Sequence, residues 1–331
     1  MSWTEDHTIG GRVTVRDVLF DAEHRLSAVR IPSPSVDAAE LVAFALGTTR
    51  SRLFLQEQVT PDQKVRIEQL LTRRLSRVPL QHIIGTVGFR RIELQVGPGV
   101  FIPRPETELV TEAGLRELAG QPEDRRVAVD LCSGSGAIAI SLATEVPGSH
   151  VHAVELSAEA VEWTRRNVAT YADRISAAGS TVEVIHADAT TVADPGEPLA
   201  HLAGLVAVVV TNPPYVPNQM VPREPEVRDH EPKMALYGGE DGLDVVRGVL
   251  HTAAVLLRPA GLVALEHADV QGLAAGASGV PGVATAMVTD SALAERLGVP
   301  EGRPIFQSVT DRIDLNGLPR FTLARRTGDE S

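Results

Sequence analysis

Asn212, Pro213, Pro214 and Tyr215 carry the sharpest chemical signal in the chain, directly after the run Leu205–Thr211. That run reads as a buried strand. The two prolines stop it, because proline fixes φ and supplies no N–H donor. The turn they make is rigid and rich in acceptors. The Asn212 side-chain oxygen and the Pro213 carbonyl can both accept hydrogen bonds from a planar NH2 group. Tyr215 offers a ring face on which a planar amide or base can stack. A nitrogen of that kind is a poor nucleophile, since its lone pair is delocalised. Acceptors that orient it and stabilise charge as it develops supply what it lacks, and its proton can leave late without a strong base.

A second constellation lies upstream. Asp130–Gly136 reads D-x-C-S-G-S-G between a strand-like run, Arg125–Cys132, and a helical one, Ala137–Val146. Cys132, Ser133, Gly134, Ser135 and Gly136 are small, so backbone amides can approach a ligand at the helix N-terminus. The spacing is neither GxGxxG nor a P-loop, which argues against an NTPase. Glu155 ends the next strand, roughly 20 residues on, where a carboxylate can accept both hydroxyls of a ribose. Asp188 and Ala189 close the third strand. Asp188 can accept from an adenine amino group, and Ala189 can line the ring. Taken singly, these are a tight turn, a solvated strand end and a turn cap. Taken in order, they match S-adenosylmethionine-dependent methyltransferases of the Rossmann-like class, although NAD enzymes share the first two. With a sulfonium methyl as the group to move, Asn212–Tyr215 points to methylation of a planar NH2. Adenine, guanine and a glutamine amide all satisfy that description.

The elements that must position these residues alternate from about Arg125 onward. Strand-like and helical runs succeed one another, which implies a mostly parallel sheet of seven strands with helices on both faces. Two strands around Asn316-Gly317 read as an antiparallel edge hairpin. Residues 13–77 are helical by periodicity: Val15, Val18, Leu19 and Leu26 lie near one face, Thr60-Pro61 has the form of a helix start, and Val65, Ile67, Leu70, Leu71 and Leu75 follow it. Such a bundle serves stability or docks a partner. Residues 79–100 break short β-type runs with glycines and read as a hairpin linker. The expected organisation is a helical domain over 1–78, a linker over 79–100 and a catalytic α/β domain over 101–331. The Gly/Ala-rich stretch 271–303 defines no element.

Composition narrows the setting. The net charge of −12 over 331 residues disfavours a long nucleic-acid footprint, so no stable nucleic-acid binding is expected. One cysteine excludes an internal disulfide and suits a reducing, cytoplasmic compartment. The ten histidines show no ligand spacing, so no metal is expected. No run of about 18 apolar residues occurs and the N-terminus lacks a signal-peptide core, so no membrane association is expected.

The stretches flanking the two constellations are more specific than the constellations themselves. PLQHIIGTVGF (79–89), GVFIPRPETELV (99–110), DLCSGSGAIAI (130–140), NPPYVP (212–217), EVRDHEPKMALYGGEDGLD (226–244) and DLNGLPRF (314–321) resemble the PrmC/HemK family of peptide chain release factor glutamine methyltransferases. The resemblance runs from about residue 13 to 326. It implies methyl transfer from S-adenosylmethionine to the glutamine amide of the Gly-Gly-Gln motif in class I release factors, with the helical domain docking that partner. It implies that Asn212 and Pro213 hold the NH2 and that Tyr215 packs on the amide. Asp130 and Cys132–Gly136 would form the cofactor loop, Glu155 the ribose carboxylate and Asp188-Ala189 the adenine-side pair, with Phe101 lining the pocket. The loop has Cys-Ser where the family has Gly-Thr, and Glu155 stands where Asp is more frequent. Arg104, Glu106, Glu231 and Asp241 read as ion-pair partners.

Overall fold

The computed structural model describes residues 13–272, 282, 283, 295, 297, 299 and 303–328. The chain divides into two units: residues up to Thr86 with Arg223–His230, and Val87–Pro222 with Glu231 onward.

In the first unit, β1 (Val13–Thr14) pairs antiparallel with β2 (Gln58–Val59). Its helices are α1 (Val15–Ala28), α2 (Pro34–Ala45), α3 (Pro61–Leu75) and α4 (Leu80–Ile84), with a further short helix, Pro225–His230, contributed from downstream. Thr14 and Thr60 each close a capping box at the start of α1 and α3. Val15, Val18, Leu26, Leu41, Val42, Ile67 and Leu71 form the core, with Leu19 and Leu75 packed at its edge. Val65 of α3 is exposed, because two residues before Ile67 is the opposite side of a helix. Arg74, only 5% exposed, donates to Asp37 at 2.6 Å and to Glu226 at 2.8 Å, and Arg77 donates to Glu226 at 2.9 Å. These ion pairs join the segment Arg223–His230 to the helices.

Residues 79–100 differ from the expected hairpin. They begin with α4, which Pro79 precedes and Gly85 ends at φ +89°. Only then do β3 (Thr86–Phe89) and β4 (Ile92–Gln95) pair in a two-stranded sheet.

The second unit holds α5 (Thr107–Ala119), β5 (Val127–Leu131), α6 (Ala137–Glu145), β6 (His150–Glu155), α7 (Ala158–Thr170), α8 (Ala172–Ala177), β7 (Thr181–His186), β8 (Val206–Thr211), β9 (Leu257–Glu266), β10 (Phe306–Ile313) and β11 (Pro319–Arg326). A further helix, Asp244–Leu256, precedes β9. The seven strands lie in the order β10-β11-β9-β8-β5-β6-β7. β9, β8, β5, β6 and β7 are parallel, and β11 and β10 close the edge antiparallel, as the sequence predicts. Every residue of β8 is buried, which is why it reads as an unbroken apolar run. The edge hairpin turns at Gly317, φ +78°, where the Asp314 carboxylate accepts the Asn316 and Leu318 N–H groups. The stretch 271–303 lies for the most part outside the described residues.

Candidate active site

The chain runs from β5 outward to β6 and β7, then crosses back to β8 and β9. Strand order therefore reverses between β5 and β8, the place where open α/β sheets bind ligands beyond their carboxyl ends. Register makes this specific. Thr211 is the Cα partner of both Leu131 and Leu265. Cys132, Asn212 and Glu266 consequently leave three adjacent strands side by side, about 4.8 Å apart. Leu131 also partners Val154, which puts Glu155 on the other flank.

The Asp130–Gly136 loop is wound tightly. Cys132, Gly134 and Gly136 have φ of +65°, +57° and +83°. α7 holds the loop from below: Thr164 Oγ1 donates to the Gly134 carbonyl at 2.7 Å, and Asn167 Nδ2 to the Ser135 carbonyl at 2.9 Å. A Cβ on Gly136 would stand 3.0 Å from Thr164 Cγ2, whereas one on Gly134 would meet no atom within 4 Å. The loop thus packs on α7 with one side and presents its backbone on the other. The Glu155 carboxylate accepts the Gly134 N–H and the Ser157 N–H, each at 2.8 Å, and so ties the loop to β6. Asp130 Oδ2 accepts the Ala139 N–H at 3.1 Å, anchoring the first turn of α6.

These residues suit the cofactor that the sequence suggests. Asp130 Oδ1 and the Ser133 hydroxyl are buried polar atoms without hydrogen-bond partners, able to engage an ammonium or carboxylate. Burial pushes the Asp130 carboxyl well above its usual range against the Ala139 N–H. Burial, reinforced by Glu155, Asp130 and Asp188, raises the Cys132 thiol, so it is no thiolate nucleophile. Asp188 Oδ1 accepts the Thr190 N–H at 2.8 Å and the Thr190 hydroxyl at 2.7 Å, and Ala189 packs into the core beside Val129 and Leu131. Phe101 lies under the Arg104 guanidinium, 4.9 Å from the ring centre. The residues just before it, Gly97–Gly99, pack on α7, where Trp163 Nε1 donates to the Pro98 carbonyl at 3.2 Å.

The turn Asn212–Tyr215 is fixed from several sides. Asn212 Nδ2 donates to Thr107 Oγ1 at 3.2 Å, which leaves Oδ1 as the amide's accepting atom. Pro213 is buried and Pro214 half-buried. The Val216 N–H donates to the Leu236 carbonyl and the Gly238 N–H to the Val216 carbonyl, at 2.8 and 2.9 Å. Gln271 Nε2 donates to the Tyr215 carbonyl at 3.0 Å. Gly238 sits so close that an added Cβ would stand 2.5 Å from the Pro214 carbonyl oxygen. The Gly-Gly-Glu-Asp-Gly stretch is therefore the backing of the turn. The Tyr215 hydroxyl donates to Glu266 Oε1 at 3.4 Å, and burial together with Glu266 raises its pKa, so it stays protonated.

Arg104 pairs with the buried Glu231, and Asp241 pairs with Arg247 while accepting the Leu243 N–H. Glu106 stands at the N-cap of α5 without a side-chain cap bond. Thr107, Glu266 and Arg320 were not singled out by sequence. Glu266 carries the same signal as Glu155, an acid ending a buried strand, and could have been found that way. Among the described residues no cluster of three or more His, Cys, Asp or Glu side chains could hold a metal, and no helix is long and apolar enough to cross a membrane.

A doubly wound sheet closed by an antiparallel hairpin, with a left-handed glycine loop at its switch point and an acid on the neighbouring strand, is the architecture of class I S-adenosylmethionine-dependent methyltransferases, and the second unit is one. Residues 17–85 match the PrmC N-terminal domain, and residues 92–224 match the methyltransferase small domain. The release factor glutamine methyltransferase of Streptomyces coelicolor is 43% identical over 92% of this chain and 95% of its own. That of Bifidobacterium longum is 44% identical over 78% and 88%, and that of Mycolicibacterium smegmatis 39% over 94% and 98%. The chain belongs to the release factor glutamine methyltransferase family.

Proposed function

We infer that the chain methylates the side-chain amide nitrogen of the glutamine in the Gly-Gly-Gln motif of class I peptide chain release factors, using S-adenosylmethionine. The observation that carries the chemistry is the Asn212 amide, whose Nδ2 is committed to Thr107 while Oδ1 is free to accept from an incoming NH2. The Pro213 carbonyl is the second acceptor, Pro214 keeps the turn rigid, and Tyr215 stacks on the amide plane. Together they hold the nitrogen in line and stabilise the charge it gains. Asp130, Cys132, Ser133, Gly134, Ser135 and Gly136 hold the cofactor's amino-acid end, Glu155 its ribose, and Asp188, Ala189 and Phe101 its adenine side. S-adenosylmethionine supplies an electrophilic methyl on a sulfonium. The helical first unit is the docking module for the release factor, and a translation factor as substrate fits a cytoplasmic enzyme.

Labelled S-adenosylmethionine, incubated with the enzyme and a class I release factor, should label the wild-type factor and not one whose motif glutamine is changed to alanine. Equal labelling of both, or labelling only of DNA or RNA, overturns the assignment. Asn212→Ala should lower turnover by about 10² with little change in cofactor affinity.

A further inference from the structure

Asn167 of α7 is 0% exposed, and its amide joins β4 to the glycine loop. Nδ2 donates to the Gln95 carbonyl at 3.0 Å and to the Ser135 carbonyl at 2.9 Å, and Oδ1 accepts the Gln95 N–H at 2.8 Å. Carbonyls only accept and a backbone N–H only donates, so the backbone dictates which way this amide points. An aspartate would turn acceptors on two carbonyls. A leucine has a similar outline and offers none of the three bonds. Tyr171, just past α7, holds the same edge of β4 two residues earlier: its hydroxyl accepts the Glu93 N–H at 2.7 Å and donates to the Glu93 carbonyl at 2.9 Å. Both of those bonds go to β4, whereas Asn167 also reaches the loop.

The loop's peptide planes are set one by one. The Gly134 carbonyl accepts from Thr164 on α7, so across the trans peptide the Ser135 N–H points away from α7. The next plane is held at both ends, the Ser135 carbonyl by Asn167 and the Gly136 N–H by the Ser133 carbonyl at 2.8 Å. Thr164 has one proton for two acceptors, the Gly134 carbonyl at 2.7 Å and the Ala160 carbonyl at 3.0 Å, so it can release the loop and keep a bond. Asn167 has one proton for each carbonyl, and releasing Ser135 costs it a hydrogen bond in a buried place. The seating of the loop therefore depends on Asn167, and that of Asn167 on Gln95.

We propose that Asn167 is a positioning residue for S-adenosylmethionine, and that through it β4 belongs to the frame of the cofactor site: the loop keeps the Ser135 N–H toward the cofactor's amino-acid end while Gln95 holds the Asn167 amide. The proposal rests on the reading of Cys132–Gly136 as the holder of that end. Coupling of this kind is reciprocal. A seated β4 favours the loop conformation that binds cofactor, so bound cofactor must favour the seated β4 by the same factor.

The test is residue-resolved hydrogen exchange with and without S-adenosylhomocysteine, the product that keeps the same amino-acid end, together with its affinity by calorimetry. The proteins are wild type, Asn167→Leu and Tyr171→Phe. In wild type the ligand should slow exchange of the loop amides, and that of the Gln95 N–H by about tenfold. Asn167→Leu should bind the ligand about tenfold more weakly and lose the ligand-dependent slowing at Gln95. Tyr171→Phe should exchange faster at Glu93 whether or not ligand is present, yet keep the slowing at Gln95 and bind the ligand as wild type does. A residue that serves stability alone would speed exchange in Asn167→Leu equally with and without ligand and leave affinity unchanged, and that result overturns the proposal. Wild type settles the matter even if Asn167→Leu does not fold: loop amides slowed by the ligand, with Gln95 unaffected, overturn the proposal alone. A ligand that binds and leaves the Cys132–Gly136 amides unslowed overturns the reading of the loop, and the proposal with it.

Discussion

The Glu266 carboxyl should leave a mark on stability that needs no substrate to measure. Its native pKa is lifted from 4.5 to about 7 by burial, so the folded protein holds this proton more tightly than the unfolded chain. Unfolding free energy must then fall as pH rises through that window, the reverse of a salt-bridged carboxylate. Linkage between pH 5 and pH 8 gives about 2.5 kcal/mol for such a shift. In Glu266→Gln the side-chain amide carries no proton to lose. Its lost hydrogen bonds weaken the fold equally at both pH values, so the difference of differences isolates the titration. Urea unfolding followed by Trp163 fluorescence, with Trp3 replaced by phenylalanine, reports the second unit, since Trp163 packs there on Gly97 and Pro98. Relative to wild type, Glu266→Gln should gain about 2.5 kcal/mol on going from pH 5 to pH 8. A gap that is the same at both pH values, within about 0.5 kcal/mol, would refute a carboxyl that titrates near neutrality.

Other perturbations draw on the same structure. Arg74→Met strands Asp37, 7% exposed, without a cation and leaves Glu226 only Arg77, and should lower stability by about 3–5 kcal/mol in chemical denaturation; a loss under about 1 kcal/mol would contradict the burial of the Arg74–Asp37 pair. Gly238→Ala drives a methyl against the Pro214 carbonyl and should cost about 1–3 kcal/mol and slow methyl transfer, while cofactor affinity by calorimetry stays near wild type. Cys132→Gly removes a side chain from a left-handed backbone at φ +65° and should raise the melting temperature, by an amount equivalent to about 1 kcal/mol; a lower melting temperature would show that the thiol's packing matters more than its φ. In the native enzyme the raised thiol should react with iodoacetamide more slowly at pH 8 than free cysteine does, and faster alkylation would contradict its burial.

β8 at the centre of the sheet was legible because it is buried on both faces, so Val206–Thr211 announces itself without any partner in view. The edge hairpin was legible because Asn316-Gly317 is a turn by local chemistry alone. α4 was missed for the opposite reason: five residues are too short to show a helical period, and only Pro79 and Gly85 mark its ends. At the site, Asn212 and the glycine loop stand next to one another in the fold because each lies just past a strand end, a feature that sequence records directly. Thr107 and Glu266 are distant in sequence from Asn212 and reach it only through sheet register and the placement of α5. Nothing local in either residue reveals a hydrogen-bond partner on another element.

The ion pairs of Glu226 have a consequence for how this protein can be taken apart. The sequence match to the N-terminal domain stops at residue 85, yet eight residues that complete that unit, Arg223–His230, are encoded far downstream. The chain passes between the units after Thr86, after Pro222 and after His230. A fragment ending at residue 86 would leave Arg77 without Glu226 and Arg74 with Asp37 alone, and a catalytic fragment would carry Glu226 as a loose, unmatched charge. In this chain the helical unit cannot be exchanged by a single crossover at its apparent border. The stretch around Glu226, just past the substrate turn, has to be inherited with it.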